Sequence, residues 1–187
     1  MTSRSEEDHI AGCLPAAGPV TDRRAFIRLA TLGAGVALFY GAAPKPALAG
    51  HAKALMLSCM DYRLIDDLVT FMASKGLDRN YDHVVLAGAS LGVVSDKFSH
   101  WHAAFWEQLD DAIKLHSIEL VVVIDHRDCG AYKLARGEDA VATREKETAV
   151  HARTIAEFAR QVKAKHPELK LEAYLMALDG STEPVAV

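Results

Sequence analysis

The chain has 187 residues, 50% of them hydrophobic and 25% charged, with a formal net charge of −4. This is the composition of a chain that packs a core, which excludes wholesale disorder, and the length leaves room for one domain rather than two. No basic patch stands out of the kind that binds nucleic acid, and there is no internal repeat or low-complexity tract.

Residues 1–49 read as a segment to set aside before any fold reasoning. Arg23 and Arg24 form a twin-arginine pair, with Phe26 two residues on. A Gly- and Ala-rich apolar stretch follows from Leu29 to Ala43, and "ALAG" gives an A-x-A cleavage site after Ala49. The pattern resembles a bacterial twin-arginine export signal, which implies a periplasmic protein. A retained anchor is the other reading, but the stretch is about 15 residues where a span needs about 20. Cleavage would remove five basic and four acidic residues, leaving 16 Lys+Arg and 21 Asp+Glu in residues 50–187, a net charge of −5. Cys13 would go too, leaving Cys59 and Cys129. In an oxidising compartment such a pair suggests a disulfide. The twin-arginine route, however, carries folded proteins, so a metal could cap both thiolates before export.

The remaining chain reads as alternating strands and helices. "AKALMLS" (52–58) is an apolar run that predicts a buried strand ending at Cys59. Ile65, Leu68, Val69 and Met72 recur at helical spacing and predict about three turns, with Gly76 as the stop. "YDHVVLAGAS" (81–90) predicts a second strand running into small residues. Phe98, Trp101, Phe105, Leu109 and Ala112 step by three or four, the pattern of one long amphipathic helix. "IELVVVIDH" (118–126) lacks alternation, as expected of a central parallel strand covered on both faces. Val150, Ile155, Phe158 and Val162 predict a further helix ending near His166–Pro167, and "LKLEAYLMAL" (169–178) a last strand. The order β-α-β-α-β-α-β predicts an α/β fold with a mostly parallel central sheet flanked by helices. Ligands of such sheets bind beyond the strand carboxyl ends. Cys59, His126 and the small-residue turn "AGAS" all fall there.

Cys59, His126 and Cys129 supply three ligands of the type zinc prefers, and three protein ligands leave one position open for catalysis. The His-x-x-Cys spacing brings two of them to one ion from a single tight turn, helped by Gly130. Asp61 and Arg63 follow Cys59 at alternate positions, so an extended segment would point all three the same way. Arg63 can fix Asp61 with a two-pronged hydrogen bond and keep it ionised. Asp61 then either pairs with Arg63 and leaves the metal open, or swings onto it as a fourth ligand. Asp125 and Asp128 flank the ligands and are expected to cap the turn rather than support the metal. His100, His102 and His116 are expected to be partly exposed helix residues rather than a proton shuttle. Trp101, Phe105 and Trp106 suit either a dimer contact or the helix-to-sheet core.

Together, "CMDYR" (59–63) and "HRDCG" (126–130) resemble the signature of the β-class carbonic anhydrases. The likeness extends over most of residues 50–187, through "VVLAGAS", "IELVVVIDH" and "LEAYLMALDGSTEPV". It implies one zinc held by Cys59, His126 and Cys129, an Asp61–Arg63 dyad, attack of zinc-bound hydroxide on CO2, and a homodimer or higher homo-oligomer. There are departures. Tyr62 stands where the family usually has Ser, "VLAGAS" lacks the family's Arg and Asn, and the N-terminal helical arm is missing. These touch the substrate pocket and dimer features and leave the ligands intact. They keep open hydrolysis of carbonyl sulfide or carbon disulfide by the same architecture, or a zinc or thiol protein without turnover.

Overall fold

A computed structural model describes residues 50–187, so the leader expectations for 1–49 lie outside the described residues. Five strands form one sheet: β1 (Ala54–Ser58), β2 (Tyr81–Val85), β3 (Leu120–His126), β4 (Lys170–Met176) and β5 (Thr182–Pro184). Their spatial order is β2-β1-β3-β4-β5. The first four run parallel and β5 returns antiparallel on β4. Five α-helices accompany them: α1 (Ile65–Ser74), α2 (Ser90–Val94), α3 (His102–His116), α4 (Gly130–Arg136) and α5 (Arg144–Lys165). Among the described residues no helix is long and apolar enough to cross a membrane.

The unbroken apolar run of the central strands has a direct cause. Side chains alternate across a strand, so a strand covered on both sides must be apolar at every position. Leu55, Leu57, Val121 and Val123 point to one face and pack with Phe105 and Leu109 of α3 and with Ile155 and Phe158 of α5. Ala54, Met56, Val122 and Ile124 point to the other and pack with Leu68 and Met72 of α1. Each large side chain removed from water this way stabilises the fold by about 1.5–3 kcal/mol.

Several local expectations change. The long helix is split, because Asp96–Trp101 forms a 3₁₀ segment with a kink at Phe98 (φ −116°, ψ 24°) before α3 begins. Strand β2 ends at Val85, and the small residues beyond it instead turn the chain into α2. Helix α5 starts at Arg144, capped by Thr143, whose side chain accepts a hydrogen bond from Lys146 N–H. Its exit fits the expectation, because the residue before Pro167 is steered away from helical geometry.

The strand order fixes where a ligand can sit. From β1 the chain moves outward to β2. It then crosses back over β1 to place β3 on its other side. The connections therefore diverge at the carboxyl ends of β1 and β3, which opens a crevice between them. Ser58 pairs with Ile124 in register, so the residues just beyond β1 and the end of β3 are neighbours.

Candidate metal centre

Cys59 leaves β1 and His126 ends β3, while Cys129 precedes the first residue of α4. The ligand atoms of these three lie within 4.8 Å of one another. Cys59 Sγ and Cys129 Sγ are 3.9 Å apart and neither is in a disulfide. A disulfide would need about 2.05 Å. Two sulfurs each about 2.3 Å from one tetrahedral ion would sit about 3.8 Å apart, which the pair matches. His126 is buried, and its Nδ1–H donates to the Arg127 carbonyl at 2.8 Å. That bond leaves Nε2 as the lone-pair nitrogen, and Nε2 is buried with no hydrogen-bond partner. An orphaned acceptor beside two thiols fits a metal ion and fits a disulfide poorly.

The charges point the same way. The Cys59 thiol is lowered to about 4 by the Cys129 thiol, with burial opposing and His126 and the Gly88 N–H assisting. The shift favours the Cys59 thiolate, the form that binds metal. The Cys129 thiol is pushed up by its contact with Cys59 and by burial. Burial lowers His126, but the Cys59 thiolate outweighs it and the net shift is upward.

Gly88, from the small-residue turn, donates its N–H to Cys59 Sγ at 3.2 Å. Its φ is +81°, and a Cβ there would press to 3.1–3.2 Å of Leu91 and Ala131, so this position needs glycine. The next residue, Ala89, is also held in an unfavourable conformation (φ +46°, ψ −107°). Such strain costs about 1–3 kcal/mol and persists only where the surroundings impose it. Here they do, because Ser90 N–H and Oγ–H both donate to Asp125, at 3.0 and 2.8 Å.

Asp125 corrects the sequence expectation. It caps no turn. It is fully buried on the face opposite His126 and also accepts from Tyr132 O–H at 2.5 Å and His151 Nδ1 at 2.8 Å. One carboxylate thus ties α2, α4 and α5 to the strand that carries His126. Ser90, Tyr132 and His151 come from three separate helices, so no local pattern announces them. The only signal was an acid inside an apolar strand.

Asp61 and Arg63 do meet. Arg63 Nε donates to Asp61 Oδ1 at 2.9 Å and Nη2 to Oδ2 at 2.7 Å. This guanidinium, helped by the Arg63 N–H, holds the Asp61 carboxyl down at about 2, against some desolvation. Asp61 Oδ2 comes within 3.8 Å of His126 Nε2 but stands outside the compact group of three. The turn from His126 to Cys129 is tight because Asp128, not Gly130, takes the left-handed conformation (φ +55°). Over the group lies an open cleft of about 570 Å³ lined by Met60, Phe98, Trp101 and Leu134 as well as the polar residues. Trp101 stacks on Phe98 at 4.6 Å within it, whereas Phe105 is core and Trp106 packs against that core. His102 meets the Ser95 carbonyl and His116 pairs with Asp82, while His100 is exposed, and none of the three lines the cleft.

The profile of the family described as "Putative carbonic anhydrase" matches residues 49–185. An uncharacterized protein of Rickettsia conorii is 41% identical over 135 residues, which are 72% of this chain and 73% of that protein. One of Rickettsia bellii is 39% identical over 135 residues, 72% of this chain and 82% of that protein. Among solved structures, a carbonic anhydrase from Streptococcus mutans aligns over 86% of this chain and 97% of its own, with TM-score 0.50 and 18% identity. The β-carbonic anhydrase CafA of Aspergillus fumigatus aligns over 87% and 89%, with TM-score 0.52 and 14% identity. At these identities the two structures share the α/β fold with its mostly parallel, helix-flanked sheet.

Proposed function

The chain belongs to the family described as "Putative carbonic anhydrase", and from that premise we propose that it is a zinc-dependent enzyme that reversibly hydrates CO2. The observation that carries this reading is the Cys59–His126–Cys129 triangle, with its 3.9 Å sulfur pair and unpartnered Nε2, at the bottom of an open cleft. These three residues would hold the zinc. When bound, zinc supplies the Lewis acidity that makes a water nucleophilic near neutral pH.

The rest is done by side chains of this chain. Asp61 stays ionised beside His126, so its free lone pairs can accept a hydrogen bond from the reacting water and orient it. Arg63 occupies both Asp61 oxygens, which holds the carboxylate beside the ligand triangle rather than in it. Phe98, Trp101 and Leu134 give the cleft an apolar wall suited to a small uncharged substrate. We propose the twin-arginine reading of residues 1–49 as well, placing residues 50–187 in the periplasm. A precursor with Arg23→Lys and Arg24→Lys should then accumulate uncleaved in the cytoplasm. A homodimer or larger homo-oligomer is also proposed. It is supported by the sheet edge at β2, where Val85 is exposed, and by exposed Met60, Tyr62, Ile65 and Val69. Light scattering that returns a monomer would remove it.

The deciding experiment is stopped-flow CO2 hydration on zinc-loaded residues 50–187, with elemental analysis alongside. One zinc per chain and hydration well above background are expected. Sulfide release from carbonyl sulfide or carbon disulfide without CO2 hydration would move the assignment to a hydrolase on the same scaffold. Full zinc with neither activity would leave a zinc protein without turnover.

A further inference from the structure

Building on that metal-site reading, we propose that Asp128 is a positioning residue: from the second ligand turn it latches Arg63, and through Arg63 it sets where the Asp61 carboxylate stands. Asp61 and Arg63 are two residues apart on the same turn, so their mutual hydrogen bonds cannot fix where the pair points. Something outside the turn must. Arg63 Nη1 donates to Asp128 Oδ2 at 3.0 Å, and Nη2 reaches the Asp128 carbonyl at 3.3 Å. Among the described residues, and apart from the contact between the two thiols, these are the hydrogen bonds that join turn 59–63 to turn 126–129.

Asp128 is itself held in place. Its left-handed backbone turns both carbonyl and carboxylate toward Arg63. Its N–H donates to Glu147 Oε1 at 2.6 Å, which ties it to α5. Lys133 occupies Oδ1 and leaves Oδ2 to the guanidinium. Position is thereby passed from α5 through Glu147, Asp128 and Arg63 to Asp61, beside His126 Nε2. The Arg63–Asp128 pair is half-exposed, so it adds little to global stability. Its effect is orientation.

A double-mutant cycle tests this, using parent, Asp128→Asn, Arg63→Ala and the double variant, all zinc-loaded. Asn tolerates the left-handed backbone, so the loop geometry survives. Two quantities are read: the rate of zinc release to excess chelator, and kcat against KM for CO2 hydration. Alone, Asp128→Asn should release zinc roughly tenfold faster and lower kcat by a similar factor with KM unchanged, the scale typical of residues that support a metal's ligands. In the Arg63→Ala background the same change should alter neither by more than about twofold. Asp128→Gly replaces the Asn variant if that one does not fold. The proposal is overturned by an Asp128→Asn effect that persists undiminished without Arg63, or by no effect in the parent. If the chain proves not to hydrate CO2, the zinc-release cycle still decides, so failure of the assigned reaction is told apart from failure of the latch.

Discussion

The turn after β1 and the turn after β3 bring the three candidate metal ligands to the same point, yet they are built to different standards of rigidity. The β3 turn is braced from all sides. Arg127 N–H donates to the Met176 carbonyl at 2.8 Å, and its buried guanidinium reaches Glu147, Thr148 and Glu183 at 3.0–3.2 Å. Glu147 also takes the Asp128 N–H, and Asp125 anchors the strand behind. The β1 turn has no such frame. Met60 and Tyr62 are 68% and 81% exposed, and beyond its own Asp61–Arg63 pair the turn leans on Gly88 and Asp128. The difference teaches that two of the three candidate ligands are presented by a rigid support, while Cys59 and the Asp61–Arg63 pair are aligned to it by a few directed contacts.

The largest expected effect comes from removing a ligand on the braced side. Cys129→Ser should lose nearly all zinc, exceeding the roughly 10–100-fold typical of supporting residues, because the oxygen replaces a thiolate in a fixed position that cannot readjust. Full occupancy by elemental analysis would remove Cys129 from the ligand set. Next comes the brace itself. Glu147→Gln uncouples a buried pair, since Arg127 and Glu147 are only 7% and 8% exposed, and should cost about 3 kcal/mol in urea unfolding. A loss below about 1 kcal/mol would mean that Arg127 is held adequately by its other partners and the contrast between the turns is overstated.

A smaller and pH-dependent effect is expected at Glu183, whose carboxyl the Arg127 guanidinium holds below the usual Glu range. A depressed carboxyl contributes stability above its unfolded pKa of about 4.3 and loses it as pH falls through the lower folded value. The advantage of the parent over Glu183→Gln should therefore be present at pH 7 and vanish toward pH 3. An advantage that grows on acidification would contradict the assignment. The smallest effect belongs to the lighter turn. Tyr62→Ser should change the stability of the isolated subunit by less than about 0.5 kcal/mol. A larger loss in a protein that also dissociates would show that a second copy supplies the brace this turn lacks.

Much of this was legible in the chain. The apolar run of β3 and the Leu68–Met72 step of α1 are signals that burial itself writes, whereas Ile65 and Val69 of the same step stay exposed, and the two cysteine-containing stretches fell at strand ends as the fold required. The rest was hidden for definite reasons. Helix α5 begins in "REKE", where no apolar period exists to mark it, and α2 and α4 are too short to show one. The kink at Phe98 preserves the spacing of the apolar residues across a break, so the pattern reads as one helix. Gly130 was the natural guess for the special backbone position, but the left-handed residue is Asp128, whose side chain also has a task. The Asp125 network joins residues from four elements, so it exists only after folding.

The spacing of the ligands along the chain sets an order of events. His126 and Cys129 share one turn, but Cys59 lies 70 residues away from Cys129. It arrives only when β1 docks beside β3, a pairing that closes a long loop at an entropic cost. A chain in which β1 has not docked consequently offers two of the candidate ligands rather than three. On the proposed zinc reading, its grip on an ion would be weak until the central pair of strands has joined, so firm retention of the ion would itself report that the middle of the sheet is complete.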